Sequence, residues 1–477
     1  MRKSAYIAVV LSLLFGCSKM LEEHPKAIAT ETFYNTADEV ASATNAIYSP
    51  LRSADCLGGN YPALMECLPD YGYGRGSWAP NSDYNGLDAT NISRIAVIWN
   101  NLYLSIRNAN LVILNAPNGT KISDEKKAEF IGEARFLRAF DYFILVRSWG
   151  GVPLRTETNM SDIEIKRSTV DEVYAMILSD ATYAEEHLPD QPRQIGTPSK
   201  WAAKTLLADI YLTLKQWENA RNAALDVINA NKYALLKVNK PDDFNNLYGA
   251  DVATTSEEIF YLKFNHLSGW WFGLFAHHPG SGYAGSQGYY GHYTTTDNPI
   301  IKGWDDNDFR KQNGFYKWDI GLGPNTLLYK KYIDPETTIG ATANDYPLYR
   351  YADLLMMFAE AENQVSGGPT ARAVESLNQV HRRAYGYDPK SPSPVDFKLS
   401  DYNQSTFQDL LVKERGYETF YEGKRWLELV RLGKAKEIIK AVKGIDIADK
   451  TFLFPIPVTE TNYNKAIDPK NDQNPGY

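Results

Sequence analysis

The chain has 477 residues, 44% hydrophobic and 23% charged, with a formal net charge of −8. That size suits a large globular body of one or two domains. The acidic balance argues against nucleic acid and anionic membrane surfaces, both of which reward Lys/Arg patches. Aromatic residues reach 13%, including 32 Tyr and 10 Trp, a surplus that suits recognition surfaces where a ring and a polar edge act together.

The first residues read as an export signal. Arg2 and Lys3 form a basic start, and residues 5–15 are an apolar stretch too short to span a bilayer. Leu14-Phe15-Gly16-Cys17 resembles a lipoprotein processing box, although Phe15 is larger than such boxes prefer. Residues 1–16 are expected as the signal peptide, and residues 17–30 as a tether lipidated at Cys17. Acyl chains contribute about 0.8 kcal/mol per buried CH₂, so several of them anchor a protein stably. Cys56 and Cys67 remain, either as a disulfide closing a modest loop or as two buried thiols.

From residue 31 onward helices dominate. Residues 36–51 begin at a threonine cap and place Val40, Ala43, Ile47 and Leu51 on one face. Residues 92–149 hold two long helices. The second is apolar around most of its girth, with Arg135, Arg138 and Asp141 as one narrow polar stripe. Ser123 can cap it, and Gly150-Gly151 with Pro153 ends it. This helix must be sheathed by others. Residues 170–231 continue with a helix over 170–188 and a pair over 199–231. In that pair Leu207, Ala208 and Tyr211 precede Trp217, Ala220, Ala224 and Ile228, an order that resembles a tetratricopeptide repeat. Residues 349–385 and 406–442 supply two further pairs. The expected fold is mainly α: a tetratricopeptide-like helical repeat scaffold, with long aromatic-rich insertions, forming one domain over 31–477.

Two insertions, about 56–89 and 264–346, lack helical period and are rich in Gly, Tyr, Trp, Asn and Asp. Long loops on a rigid scaffold commonly carry function. A pyranose ring presents a flat C–H face to an aromatic ring and hydroxyls to polar groups at its edge. The candidate stacking residues are Tyr73 and Trp78 from the first insertion, and Trp270, Tyr289 and Tyr290 from the second. Arg75, Asn81 and Asp83 are the candidate hydrogen-bonding partners. Any sheet should be confined to these insertions.

Other residue clusters carry less. Trp99, Tyr103, Trp149, Trp201 and Trp426 fall on helix patterns and belong to the core. Arg135, Arg350, Glu360, Arg415, Glu422 and Arg425 suit structural ion pairs between helices. His266, His277, His278 and His292 lack metal-ligand spacing, and the acidic run Trp304–Phe309 lacks the glycine of a calcium loop. No metal or cofactor is expected. Nucleophile-elbow, zinc-protease, P-loop and dinucleotide motifs are absent from the sequence, so an enzyme is not the reading.

Four stretches, FIGEARFLRAFDYFILVRSWGGVPL from Phe130, YPLYRYADLLMMFAEAEN from Tyr346, LVKERGYETFYEGKRWLELVRLGK from Leu411 and the C-terminal FPIPVTETNYN…QNPGY, occur in one order. Together they resemble the signatures of the SusD/RagB family, nutrient-binding outer-membrane lipoproteins of Bacteroidetes. The resemblance implies a SusD-like fold, lipid-anchored and exposed at the cell surface. It implies capture of an oligosaccharide and its delivery to a SusC-like TonB-dependent transporter. The family also contains peptide binders, so a RagB-like peptide-binding role is the alternative. A structural or adhesion lipoprotein is a third.

Overall fold

Thr36 opens the first helix, α1 (Ala37–Arg52), with a reciprocal cap. Its hydroxyl accepts from the Glu39 N–H, and the Glu39 carboxylate accepts from the Thr36 N–H at 2.8 Å. The computed structural model describes residues 33–338 and 340–477. The signal segment, Cys17 and the tether lie outside the described residues.

A short helix, α2 (Asn60–Cys67), follows inside the first insertion, where no helix is expected. All of its side chains are buried, so its sequence NYPALMEC shows no amphipathic period. Next come α3 (Ala89–Asn115), capped by Asp88, and α4 (Asp124–Trp149), capped by Ser123 and closed by Gly150 at φ 74°. They are followed by α5 (Val170–His187), α6 (Lys200–Thr213) and α7 (Trp217–Asn229). Beyond the second insertion lie α8 (Tyr351–Val365), α9 (Ala371–Ala384), α10 (Gln404–Glu418), α11 (Arg425–Arg431) and α12 (Ala435–Lys443). The expected final pair is thus three helices, because Gly423 and Gly433 adopt positive φ and interrupt the run.

Neighbours in sequence pack as neighbours in space from α3 to α7, and α8 packs on α7 despite the insertion between them. The result is a mainly helical stack. Its centre is α4, where Trp149 meets Trp99 edge to face at 5.5 Å and donates to the Pro455 carbonyl at 3.0 Å. Trp426 is buried as well. Tyr103 and Trp201 are only half-buried, and each donates a hydrogen bond, to Pro153 O and Asp190 Oδ1.

Among the described residues seven short strands accompany the helices: β1 (Tyr73–Gly74), β2 (Glu258–Leu262), β3 (Tyr283–Ser286), β4 (His292–Thr295), β5 (Phe315–Lys317), β6 (Thr326–Tyr329) and β7 (Tyr346–Arg350). One sheet has the order β1-β4-β6-β5, and β2 pairs antiparallel with β7. Sheet is therefore not confined to the insertions: β2 precedes the second one. The stretch YPLYR, expected to lead into a helix from Tyr349, is instead a strand. Pro347 resists helix, and the strand runs buried along its whole length.

Several charges of the motif-like stretches pair inside the core. Arg350 has no exposure and donates to Glu418 at 2.8 Å and to Glu422 at 2.7 Å. Arg383 bridges Glu257 and Glu418, and Arg310 reaches Glu414 at 3.0 Å. Arg415 and Arg431 share Glu360. Burial alone would raise Glu360; the two guanidinium groups outweigh it and hold the carboxylate down at about 2. Arg135 departs from this pattern, lying over the Tyr183 ring with Asp180 only at 3.6 Å.

Glu418→Gln leaves three buried guanidinium groups short of a carboxylate. Unfolding in urea should show a loss of about 3–5 kcal/mol. A loss under about 1 kcal/mol would mean the network does not govern stability.

Candidate functional site

Strand β1 belongs to the first insertion and β4 to the second, and their pairing brings the two together. Tyr73 faces Tyr293, Gly74 faces His292, and the Arg75 N–H donates to Gly291 O at 2.8 Å. A run of half-buried rings lies beside this junction. The Arg75 guanidinium stands 4.3 Å over the Tyr290 ring, Tyr290 meets His278 at 4.7 Å, and His278 stacks on Trp318 at 4.8 Å. Tyr316 touches Trp318 at 6.2 Å and Tyr283 at 4.9 Å. Tyr289, 46% exposed, turns to the other side and lies beside Trp271.

The backbone fixes this strip. Tyr290 has φ 36°, a left-handed value that a side-chain-bearing residue adopts at a cost of about 1–3 kcal/mol. Its N–H donates to His277 O at 2.9 Å, and the Tyr289 N–H donates to Leu274 O at 2.8 Å. Gly288 makes the approach feasible, since a Cβ there would fall 2.3 Å from the His277 carbonyl oxygen. Beyond Trp318, one Asp319 carboxylate oxygen accepts from the N–H groups of Gly321, Leu322 and Gly323. That turn holds Trp318 at the end of the strip.

The predicted site residues divide into three groups. Arg75 and Tyr290 meet on the strip, and Tyr289 borders it. Tyr73 stacks on Tyr293 at 5.4 Å as a separate pair, near which Asp83 is exposed. Trp78, Asn81 and Trp270 are buried, which corrects their expected place on an open surface. Trp78, 5% exposed, packs edge-on against Phe275 at 5.2 Å, with Arg94 stacked 3.6 Å above its ring. Asn81 donates to Asn91 at 2.9 Å. Trp270, with 0% exposure, sits among Tyr332, Tyr346 and Phe272 and donates to Leu57 O at 3.3 Å. These two tryptophans bind the insertions to one another and to the scaffold.

The disulfide alternative is also corrected. Cys56 and Cys67 are free and buried. Cys56 lies in the turn before α2, toward Asp141, while Cys67 ends α2 beside His292, with Sγ 3.5 Å from Nε2. The Cys67–His292 contact has the residue types of a nucleophile and its base, but burial pushes the thiol up and the imidazole down to about 3. An ion pair between them is disfavoured on both sides, so this is packing.

His278 and Trp318 escaped the sequence reading. Trp318 stands three residues before a Gly-Leu-Gly turn, and His278 follows a buried histidine. Alternation along FYKW was the one available signal. The acidic run near Trp304 is occupied internally: Asp308 accepts from the Trp304 indole at 2.8 Å and pairs with Arg310 at 2.6 Å.

The helical scaffold thus carries a strip of half-buried rings. Comparison with known proteins gives the family. A model described as starch-binding and associating with the outer membrane matches residues 21–212, and the SusD family model matches residues 278–477. SusD-like protein P2 of Formosa agariphila is 28% identical, with 100% of this chain and 99% of that protein covered. The crystal structure of a SusD homolog from Bacteroides thetaiotaomicron superposes with a TM-score of 0.80 at 23% identity, covering 94% of this chain and 98% of that one. A laminarin-binding SusD-like protein superposes with a TM-score of 0.74 at 22% identity, covering 93% and 100%. The chain belongs to the SusD/RagB family, one of whose models is described as starch-binding and associating with the outer membrane. Among the described residues no helix is long and apolar enough to cross a membrane.

Burial decides what a Trp78 variant does. Trp78→Ala should lower unfolding free energy by about 3–5 kcal/mol, the usual cost of a large core deletion. Trp318→Ala, at a half-buried loop position, should leave the urea midpoint nearly unchanged. Equal midpoints for the two variants would contradict this placement.

Proposed function

We propose that this protein captures an oligosaccharide along the strip Arg75–Tyr290–His278–Trp318 and delivers it to a SusC-like TonB-dependent transporter. The observation that carries the reading is the strip itself: successive half-buried rings about 5 Å apart, with a guanidinium at one end. Stacked pyranose faces need such rings, and sugar hydroxyls need donors such as the Arg75 guanidinium at the edge. The strip is strained into shape before any ligand arrives, which reduces the ordering cost of binding. A structural neighbour named for laminarin binding supports a glycan over a peptide. Tyr289 with Trp271, and Tyr73 with Tyr293 and Asp83, extend the surface on either side as secondary contacts.

Calorimetry against a panel of plant, algal and microbial polysaccharides tests the ligand class. Tyr290→Ala or Trp318→Ala should weaken binding of the best glycan by about tenfold to a hundredfold, taking about 1–3 kcal/mol per stacked ring by analogy with base stacking. Wild-type affinity in both variants would place the ligand elsewhere. Binding of a peptide but of no glycan would turn the reading to the RagB-like alternative.

The anchor belongs to the same proposal. Acylated Cys17 would hold the protein to the outer membrane, at the cell surface. In cells lacking the transporter, Cys17→Ala should move the protein from the membrane fraction to the soluble one. Continued membrane association there would overturn the lipoprotein assignment.

A further inference from the structure

A cavity of about 130 Å³ opens where α4, α6, α8, β7 and the α10–α11 turn converge; none of the strip residues lines it. Phe140, Ile144, Leu212 and Tyr346 give it an apolar wall, and Arg147, Asp209 and Glu428 also line it. Most charges nearby are already matched. Lys424 lies 2.7 Å from Asp353, and Arg431 holds Glu360 through two bonds of 2.7 and 2.8 Å.

Arg147, Asp209 and Glu428 are matched poorly. Arg147 lies 3.6 Å over the Phe143 ring and donates its Nε to Phe143 O at 3.1 Å, but its terminal nitrogens make no hydrogen bond among the described residues, and Asp209 lies 3.7 Å away. Asp209 accepts from the Tyr349 hydroxyl on one oxygen; the other has no partner among the described residues. Glu428 has one long bond of 3.4 Å from Arg415 and a 3.6 Å contact with Arg425. Burial raises its pKa accordingly. Partly buried charges with such loose pairing are costly, and a ligand of a single sign would worsen one half of the imbalance.

We propose that this cavity binds a small zwitterion with an apolar side chain, an aromatic or branched α-amino acid. Its carboxylate sits on Arg147, its ammonium on Asp209 and Glu428, and its side chain against Phe140, Ile144 and Leu212. An apolar space of about this volume accepts a benzene-sized body, so the cavity has room for the ligand's side chain. The half-buried rim at Arg147 and Asp209 leaves the charged head partly in solvent. This site does not depend on the glycan reading.

Titration calorimetry of the purified protein with L-phenylalanine and L-leucine is the test, with phenylacetate and phenethylamine as single-charge comparators. A Kd of about 1 mM or tighter is expected for at least one amino acid, since ligands of about a dozen heavy atoms reach that range. Each comparator should bind at least about tenfold more weakly. Thr213→Trp fills the mouth from the rim, and Arg147→Met removes the carboxylate's partner. Each should weaken the amino acid at least about tenfold while leaving glycan titrations unchanged. Three results would overturn the proposal: no saturable heat from either amino acid up to about 20 mM, comparators that bind equally well, or a Thr213→Trp protein that binds like wild type. The wild-type titration decides even if a variant fails to fold.

Discussion

Arg350 sits at zero exposure where the last strand enters the helical stack, and the molecule is arranged around neutralising it. A lone buried guanidinium would cost many kcal/mol, so every nearby segment contributes a carboxylate or shares one. Glu418 and Glu422 come from the end of α10 and the turn beyond it, and Glu257 from the residue before β2. Lys331, from the second insertion, joins through Glu422. Glu66 of α2 extends the same web by accepting from the Gly423 N–H and the Tyr71 hydroxyl, and burial pushes it up to about 7. The scaffold and both insertions are therefore joined by charge as well as by apolar contact.

Much of this was visible in the residues. The long helices declare themselves through caps and period: Thr36 with Glu39, Ser123 with Lys126, and the apolar girth of α4. The ion pairs were foreseeable from charges embedded in apolar helices. What the sequence concealed is orientation inside the insertions. Trp78 and Trp318 both stand in Gly-rich aromatic stretches, yet one is core and the other faces outward. The difference lies in partners distant in sequence, Phe275 and Arg94 for Trp78, and His278 for Trp318. The helix α2 was hidden for the opposite reason: buried on all sides, it has no period to read.

The strip and the core are continuous, which explains why a loop-built site can be rigid. Tyr290 rests on the backbone of His277, whose ring Nε2–H donates to the Tyr332 carbonyl oxygen deep in the second insertion. Phe275, under Trp78, also touches Trp271, which reaches Tyr289. An opening of either insertion would have to break the β1–β4 pairing and expose Trp270 together. Local opening in this region is consequently expensive compared with an ordinary long loop.

The turn after Trp318 is different in kind. Its conformation depends on one carboxylate, Asp319, collecting three N–H groups of the turn itself, and Leu322 at its tip is exposed. Nothing in the Arg350 web passes through it. A lineage could lengthen, shorten or rewrite this turn without disturbing folding, and each change would re-aim the indole that ends the strip. The molecule thereby separates what must be inherited unchanged from what can drift, and diversification toward new ligands has an inexpensive place to begin.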